Sequence, residues 1–342
     1  MIQIGMLGCG YWGQNLARNF LTIKGARLAT ICDSDHRRLQ HVRDMFPTVE
    51  VVTAAEDVLR DTAIDAVVIA LPAQDHYHYA KEALRHGKDV LVEKPLSMTS
   101  REARELIRLA RKKKKILMVG HTFEYNAAVR QVRGYIRHNL LGRVYYIYSQ
   151  RLNLGIVRRD VDALWNLAPH DVSIILFWLG TMPRYVTASG ASYLQKGIND
   201  IAFLMMEFPG GEIAHIHVSW LDPSKIRKMT IVGSRKMVVY DDTSEDEKIH
   251  IYDKGIDVKT IRKSLGEYEN FAQFQMIKRA GDKVIPKIDF VEPLKVECGH
   301  FVECIEKSKR PLTDGENGLR VVRVLEACHR SLVQNGRKME VA

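Results

Sequence analysis

The sequence predicts an α/β protein, with a doubly wound parallel sheet over residues 1–122 and a second α/β domain over residues 123–342. Three observations predict it. The apolar strand Ile2-Gln3-Ile4-Gly5-Met6-Leu7 runs straight into Gly8-Cys9-Gly10-Tyr11-Trp12-Gly13 and then into a helical stretch. From there to about residue 122, short apolar runs alternate with helical patterns, as βαβ units require. Beyond that point strand-length runs predominate.

In order, the strands of the first domain fall at 2–7, 27–32, 50–52, 65–70, 89–92 and 115–119. Helices fit between them at about 11–23, 35–46, 55–60, 75–86 and 99–112, where apolar residues recur at three- and four-residue steps, as in Leu106, Ile107, Leu109 and Ala110. In the second half, Val144–Gln150, Tyr185–Ser192, Ala202–Phe208, Glu212–Ser219, Lys228–Val232 and Lys236–Tyr240 read as strands. Alternation in Ile213-Ala214-His215-Ile216-His217-Val218 puts His215 and His217 on one face. No third ligand or carboxylate cluster accompanies them, so a sheet-face or interface role is preferred to a metal site, and no metal is expected. A last helix is expected at about 315–334, where Val321, Val322, Val324 and Leu325 carry ordinary packing and no chemistry. Residues 253–290 are poorly patterned and leave open a mobile or a subunit-contacting segment.

The glycine motif points to a dinucleotide pyrophosphate. Gly8 makes the tight turn, Gly10 lets bare backbone approach the phosphates, and Gly13 lets the helix pack against the strand. The phosphates then meet the unpaired N–H groups of a helix start. Twenty residues after Gly13 comes Asp33, closing Arg27-Leu28-Ala29-Thr30-Ile31-Cys32, where a carboxylate holds the adenosine ribose. Its charge repels a 2′-phosphate and favours NAD, while Ser34, Arg37 and Arg38 leave NADP open.

Composition limits the class. With 46% hydrophobic and 27% charged residues, the chain has material for large cores and two domains. Its longest apolar runs, such as Asp65–Leu71, are strand-length rather than the roughly 20 residues of a membrane span. The first strand begins at residue 2, so no signal peptide and a cytoplasmic location are expected. Cys9, Cys32, Cys298, Cys304 and Cys328 form no C-x-x-C pair and read as small buried apolar residues. The net charge of +10 peaks in Arg111-Lys112-Lys113-Lys114-Lys115, at the end of a helix beginning near Thr99. Cations suit that end of a helix dipole, and nothing nearby resembles a nucleic-acid reader, so no nucleic-acid partner is expected.

Ligands of doubly wound sheets bind beyond the carboxyl ends of the strands. After the fourth strand comes Leu71-Pro72-Ala73-Gln74-Asp75-His76, a turn and helix start placed to lie along the cofactor. After the fifth comes Glu93-Lys94-Pro95. On physics alone Lys94 reads equally as a functional cation or as an exposed loop lysine.

The chain resembles the glucose–fructose oxidoreductase/inositol dehydrogenase/MocA family of pyridine-nucleotide oxidoreductases over essentially its whole length. The resemblance rests on Gly8–Gly13, on Glu93-Lys94-Pro95, and on Trp165-Asn166-Leu167-Ala168-Pro169-His170-Asp171. It implies a Rossmann domain followed by an α/β domain with an open, mostly antiparallel sheet whose face often makes subunit contacts, hence a homodimer or homotetramer. It also implies a last helix that packs back near the Rossmann domain.

The family's second catalytic element resembles D-x-x-x-H on a helix, matched here by Asn166 and His170, which i, i+4 spacing puts on one face. The resemblance implies His170 as general base on a sugar hydroxyl and Lys94 as the cation that orients the same oxygen. Asn166 departs from the family's Asp, which makes positioning its role. The bland alternative for His170 is a buried histidine capping a helix that starts at Asp171.

Gly120–Asn126, Arg151–Asp160 and the W-N-L-A-P-H-D stretch look like the nucleotide-sugar branch of that family, particularly the UDP-N-acetylglucosamine 3-dehydrogenases. The cofactor contacts so implied are Gly8, Gly10, Tyr11, Trp12, Gly13, Asp33, Ser34, Leu71, Pro72, His76, Glu93, Lys94 and Trp165. The implied substrate contacts are Lys94, Tyr125, Asn126, Arg151, Asn153, Arg158, Asn166 and His170, the arginines because guanidinium groups bond phosphate bidentately. The activity so implied is NAD-dependent oxidation of a secondary hydroxyl, at C3, of a UDP-N-acetyl-amino sugar. Alternatives are a free-sugar or inositol dehydrogenase and a non-catalytic NAD(P)-binding regulator.

Overall fold

The computed structural model describes residues 1–155, 157–256 and 278–341. Strands β1 Ile2–Leu7, β2 Ala26–Cys32, β3 Glu50–Val52, β4 Ala66–Ile69, β5 Asp89–Glu93 and β6 Leu117–Gly120 form one all-parallel sheet, in the order β3-β2-β1-β4-β5-β6. That order reverses between β1 and β4, where doubly wound sheets hold their ligands. Helices α1 Tyr11–Phe20, α2 His36–Met45, α3 Ala55–Arg60, α4 His76–Arg85 and α5 Ser100–Lys113 connect the strands.

The expected elements all appear, with ends displaced by up to three residues. Helix α5 opens with a capping box between Thr99 and Glu102. Its end runs past the expected one because Lys114 takes a left-handed conformation and the Lys115 N–H still bonds back to Ala110. Strand β6 therefore begins at Leu117, two residues later than the apolar run suggests. Arg111, Lys112 and Lys113 occupy the last turn of α5, on its exposed face.

The second sheet is nine-stranded and mostly antiparallel. It comprises β7 Val144–Leu152, β8 Tyr185–Ala191, β9 Ile201–Glu207, β10 Ile213–Ser219, β11 Ile226–Gly233, β12 Met237–Asp241, β13 Ile249–Ile256, β14 Lys278–Val284 and β15 Met339–Glu340. The order is β14-β13-β12-β11-β7-β10-β9-β8-β15, and among the described residues only β7 and β10 pair in parallel. The ends of the poorly patterned segment 253–290 supply β14 and part of β13, while residues 257–277 lie outside the described residues.

One face of this sheet is covered. Ala214, Ile216 and Val218 of β10 are fully buried, as is most of α7 Ala163–Leu179, a helix apolar nearly all round. The other face has no helix on it among the described residues and carries Tyr146, Tyr148, Phe203, Met205, Ile213 and both His215 and His217, with Phe203 stacked on His217 at 4.3 Å between centroids. Helix α6 Ala127–Arg137 packs against α7.

The last two helices return to the first sheet. In α8 Pro293–Glu306, Phe301 meets Phe20 edge to face at 6.4 Å, and Leu294, Cys298 and Val302 join the core under β1. In α9 Gly315–Val333, Leu319 and Val322 pack with the parallel sheet while Val321, Val324 and Leu325 pack with the antiparallel one. No helix among the described residues is long and apolar enough to cross a membrane.

Candidate active site

The three glycines of the β1–α1 turn differ in what surrounds them. A Cβ on Gly8, whose φ is +92°, would lie 2.6 Å from the Ala70 carbonyl oxygen, and one on Gly13 would lie 2.3 Å from that of Gly8. These two are required by close packing. A Cβ on Gly10 would meet only Arg38, at 3.8 Å, so the backbone there is open to an approaching group. Gly10 also starts α1 without any side-chain cap, and the first turn holds no acidic residue, so its N–H groups are free to meet an anion. Tyr11 stands exposed at this edge.

Asp33 is buried beside the turn. Its Oδ2 accepts from the Cys9 backbone N–H at 2.8 Å and its Oδ1 from that of Asp35 at 2.9 Å. Burial works against its charge, but these N–H groups, the Cys9 thiol and Arg38 outweigh it and hold the carboxyl below its ordinary pKa. Asp33 thus stays ionised, with its orientation set by the glycine turn. Ser34 is exposed next to it. These features fit a dinucleotide: an open Gly10, a bare helix start and an anchored carboxylate for the ribose.

At the carboxyl end of β5, Glu93 accepts from the Trp12 indole N–H at 2.6 Å, which ties the glycine turn to the E-K-P loop. Burial pushes the Glu93 carboxyl up to about 7 despite the neighbouring Lys94. The Lys94 Nζ donates to the Asn166 backbone carbonyl at 2.9 Å. Burial pulls Lys94 down to about 8, with Arg158 and Arg151 adding repulsion and Glu93 opposing it.

Asn166 and His170 lie one turn apart within α7, so His170 does not cap a helix starting at Asp171. The Asn166 Oδ1 accepts from the Trp220 indole at 3.3 Å. The His170 ring stands edge to face with Phe123 at 5.1 Å, and its Nδ1 is buried without a partner. Burial first, then Lys94, Arg151 and Arg227, hold its pKa well below the ordinary value, so the imidazole is neutral. A neutral base and a lysine cation with a lowered pKa therefore share one junction between the two sheets.

The remaining residues predicted for the site divide by what their polar atoms touch. Arg151 is buried, and its guanidinium forms a two-point ion pair with Asp171 at 2.7 and 3.2 Å, while Ser149 also bonds that carboxylate. Its charge is therefore paired inside the protein. Asn126 caps α6 through its side chain, and the Tyr125 hydroxyl bonds Thr313, both buried. An Asn before Ala-Ala-Val is itself an N-cap signal. Trp165 is buried in the core of the antiparallel sheet. His76 is buried with both ring nitrogens within 3 Å of backbone carbonyl oxygens, those of Pro95 and Leu71. Leu71 is half-buried and Pro72 exposed. Arg158 pairs with Asp160 at 2.6 Å but remains partly exposed, as does Asn153.

Two contributors have no sequence signal: Trp220 and Arg227 act on Asn166 and His170, while Asp171, the last residue of the W-N-L-A-P-H-D stretch, is the partner of Arg151. Among the described residues, no cluster of His, Cys, Asp and Glu has the makings of a metal site.

Residues 2–121 match the family described as "Oxidoreductase family, NAD-binding Rossmann fold", and residues 129–239 match "GFO/IDH/MocA C-terminal domain". The uncharacterized oxidoreductase YdgJ of Escherichia coli is 30% identical over 68% of this chain and 69% of its own length. The UDP-N-acetylglucosamine 3-dehydrogenase of Acidithiobacillus ferrooxidans is 26% identical over 74% of this chain and 78% of its own length. Its solved structure superposes with a TM-score of 0.80, covering 97% of both chains at 23% identity, a likeness of fold. An uncharacterized oxidoreductase of Streptococcus pneumoniae, 24% identical, is spanned over 61% of its length.

Proposed function

Because the chain belongs to the GFO/IDH/MocA family of NAD-dependent oxidoreductases, we propose that it oxidises a secondary hydroxyl, at C3, of a UDP-N-acetyl-amino sugar to a keto sugar. The observation that carries this reading is the 2.9 Å bond from Lys94 Nζ to Asn166, which brings the E-K-P loop onto the helical turn that bears His170. His170, neutral, takes the hydroxyl proton. Lys94, as a cation, hydrogen-bonds the same oxygen and stabilises the charge that develops on it. Asn166, held by Trp220, positions both. NAD, when bound, supplies the acceptor for the hydride leaving the adjacent carbon. Gly8, Gly10 and Gly13 seat its pyrophosphate and Asp33 its ribose.

The nucleotide-sugar part rests on Arg158, the member of the arginine pair whose guanidinium is still partly exposed, and on the likeness to a UDP-N-acetylglucosamine 3-dehydrogenase. Purified protein with NAD should form NADH with UDP-N-acetylglucosamine and not with glucose or myo-inositol. Turnover with the free polyols alone overturns the UDP-sugar reading, and silence with every substrate favours a regulator.

Asp33→Ala should weaken NAD binding about tenfold or more, the worth of a charge-assisted hydrogen bond, and relax discrimination against NADP. The ratio of NAD to NADP dissociation constants is the readout, and an unchanged ratio removes Asp33 from the ribose site.

We also propose that a second copy covers this face of the nine-stranded sheet, because Tyr146, Tyr148, Phe203, Met205 and Ile213 are exposed side by side on neighbouring strands there among the described residues. Phe203→Glu should convert a dimer or tetramer to monomer in sedimentation velocity. A wild-type monomer, or a variant that keeps its oligomeric state, refutes it. The five cysteines are buried and unpaired, which supports a cytoplasmic setting.

A further inference from the structure

His76 opens α4 with its imidazole 1% exposed. Its Nδ1 lies 2.7 Å from the Pro95 carbonyl oxygen and its Nε2 lies 2.9 Å from the Leu71 carbonyl oxygen. Carbonyl oxygens only accept, and a neutral imidazole carries one N–H. With a neutral ring, one of these contacts sets a lone pair against a lone pair in a dry interior. Both become hydrogen bonds when both nitrogens carry protons.

We propose that His76 is a buried imidazolium that ties the Lys94–Pro95 loop to the turn after β4 and so acts as a positioning residue for Lys94. The role assigned to the lysine rests on the function proposed above; the protonation of His76 does not.

Four influences act on the ring. Burial, the largest, and the Lys94 charge favour the neutral form and on balance pull the ring below its ordinary value; the two carbonyls and Asp75, at the start of the same helix, favour the cation. What opposes that pull is geometry, because the two carbonyls are fixed. Leu71 and Pro95 follow adjacent parallel strands, β4 and β5, and neither strand end moves away without breaking the ladder between them.

Lys94 is then framed on three sides. Its Nζ meets Asn166, its peptide N–H meets Glu93 and the next carbonyl meets His76. The same imidazole reaches Leu71, so the turn expected to lie along the cofactor and the loop carrying Lys94 are joined through one side chain. A cation there also disfavours a second cation at Lys94.

The test begins with NMR of protein labelled with ¹⁵N-histidine, with and without NAD, the His76 signal being assigned by its loss in His76→Gln. The ring should carry two N–H protons at about pH 7.5, above the ordinary histidine pKa of about 6.5. A ring with one N–H there overturns the proposal, whatever the substrate proves to be.

Kinetics then separate position from charge. His76→Leu removes both donors and the cation; kcat should fall about 100-fold, as a displaced catalytic group predicts, and the alkaline limb of the pH profile should move to higher pH. His76→Gln keeps a donor, so it should recover most of kcat while its limb stays displaced. Wild-type kcat and an unmoved limb in these variants overturn the positioning role, and the glutamine variant with the NMR decides it if the leucine variant does not fold.

Discussion

Replacing Lys94 by alanine is expected to lower turnover by about 100-fold or more while leaving NAD affinity nearly intact. The ammonium group reaches across from the end of β5 to α7, where Asn166 and His170 stand, and does not take part in the contacts of the glycine turn. Its loss therefore removes a charge from the reacting oxygen without touching the expected pyrophosphate seat. The pH profile gives a second, independent readout. In the role proposed above Lys94 acts as a cation, and because its pKa is lowered to about 8 the protonated form is lost as pH rises through that value. In the wild type kcat/KM should fall above about pH 8. His170, held well below its ordinary pKa, stays neutral throughout the neutral range, so its own limb falls on the acid side. Stopped or continuous NADH assays across pH, together with NAD titration by protein fluorescence, check both parts. A Lys94→Ala enzyme with near-normal turnover, or one that keeps the alkaline limb, removes the lysine from proton handling.

The second large effect is on stability. Asp171→Ala should destabilise the protein by about 3–5 kcal/mol, because it strands the Arg151 guanidinium in the interior without a partner. Both groups are almost wholly buried, at 6% and 1% side-chain exposure, so water does not replace the lost carboxylate. Ser149 loses its acceptor in the same change. Replacing both charges together, as in Arg151→Met with Asp171→Leu, should recover much of the loss, since an apolar pair of similar volume removes the unpaired charge. Equilibrium denaturation of the two variants measures this. If Asp171→Ala costs less than about 1 kcal/mol, the pair is not the internal strut described above. The consequence for chemistry is local: Arg151 also lies over the Phe123 ring at 4.8 Å, and Phe123 packs on His170. A disordered Arg151 would therefore loosen the base as well as the sheet.

Reading residue by residue, the sequence resolves what repeats and what is local. Period-two and period-3.6 patterns place the parallel strands and their helices within a few residues, because each element buries one face and declares it every second or every third to fourth position. The glycine turn and Asp33 are equally legible, since the backbone geometry of a tight strand-to-helix turn admits few alternatives. Helix α8 is different. Its apolar residues are plain in the sequence, but nothing there says that they pack under β1, almost the whole chain away.

The polar residues mark the limit most sharply. Arg151, Asn126, Tyr125 and His76 are residue types that serve a ligand as readily as they serve the fold, and their neighbours along the chain do not distinguish the two. The sequence by itself determined the fold class, the NAD-binding family and the pair of candidate groups, Lys94 and His170, that proton transfer needs. Only the tertiary structure decided which donors and charges are already satisfied inside the protein: Arg151 by Asp171, Asn126 by the start of α6, the Tyr125 hydroxyl by Thr313. The physical reason is that periodicity reports the solvent side of an element, whereas satisfaction of a buried charge or hydrogen bond depends on partners that only folding brings within about 3 Å.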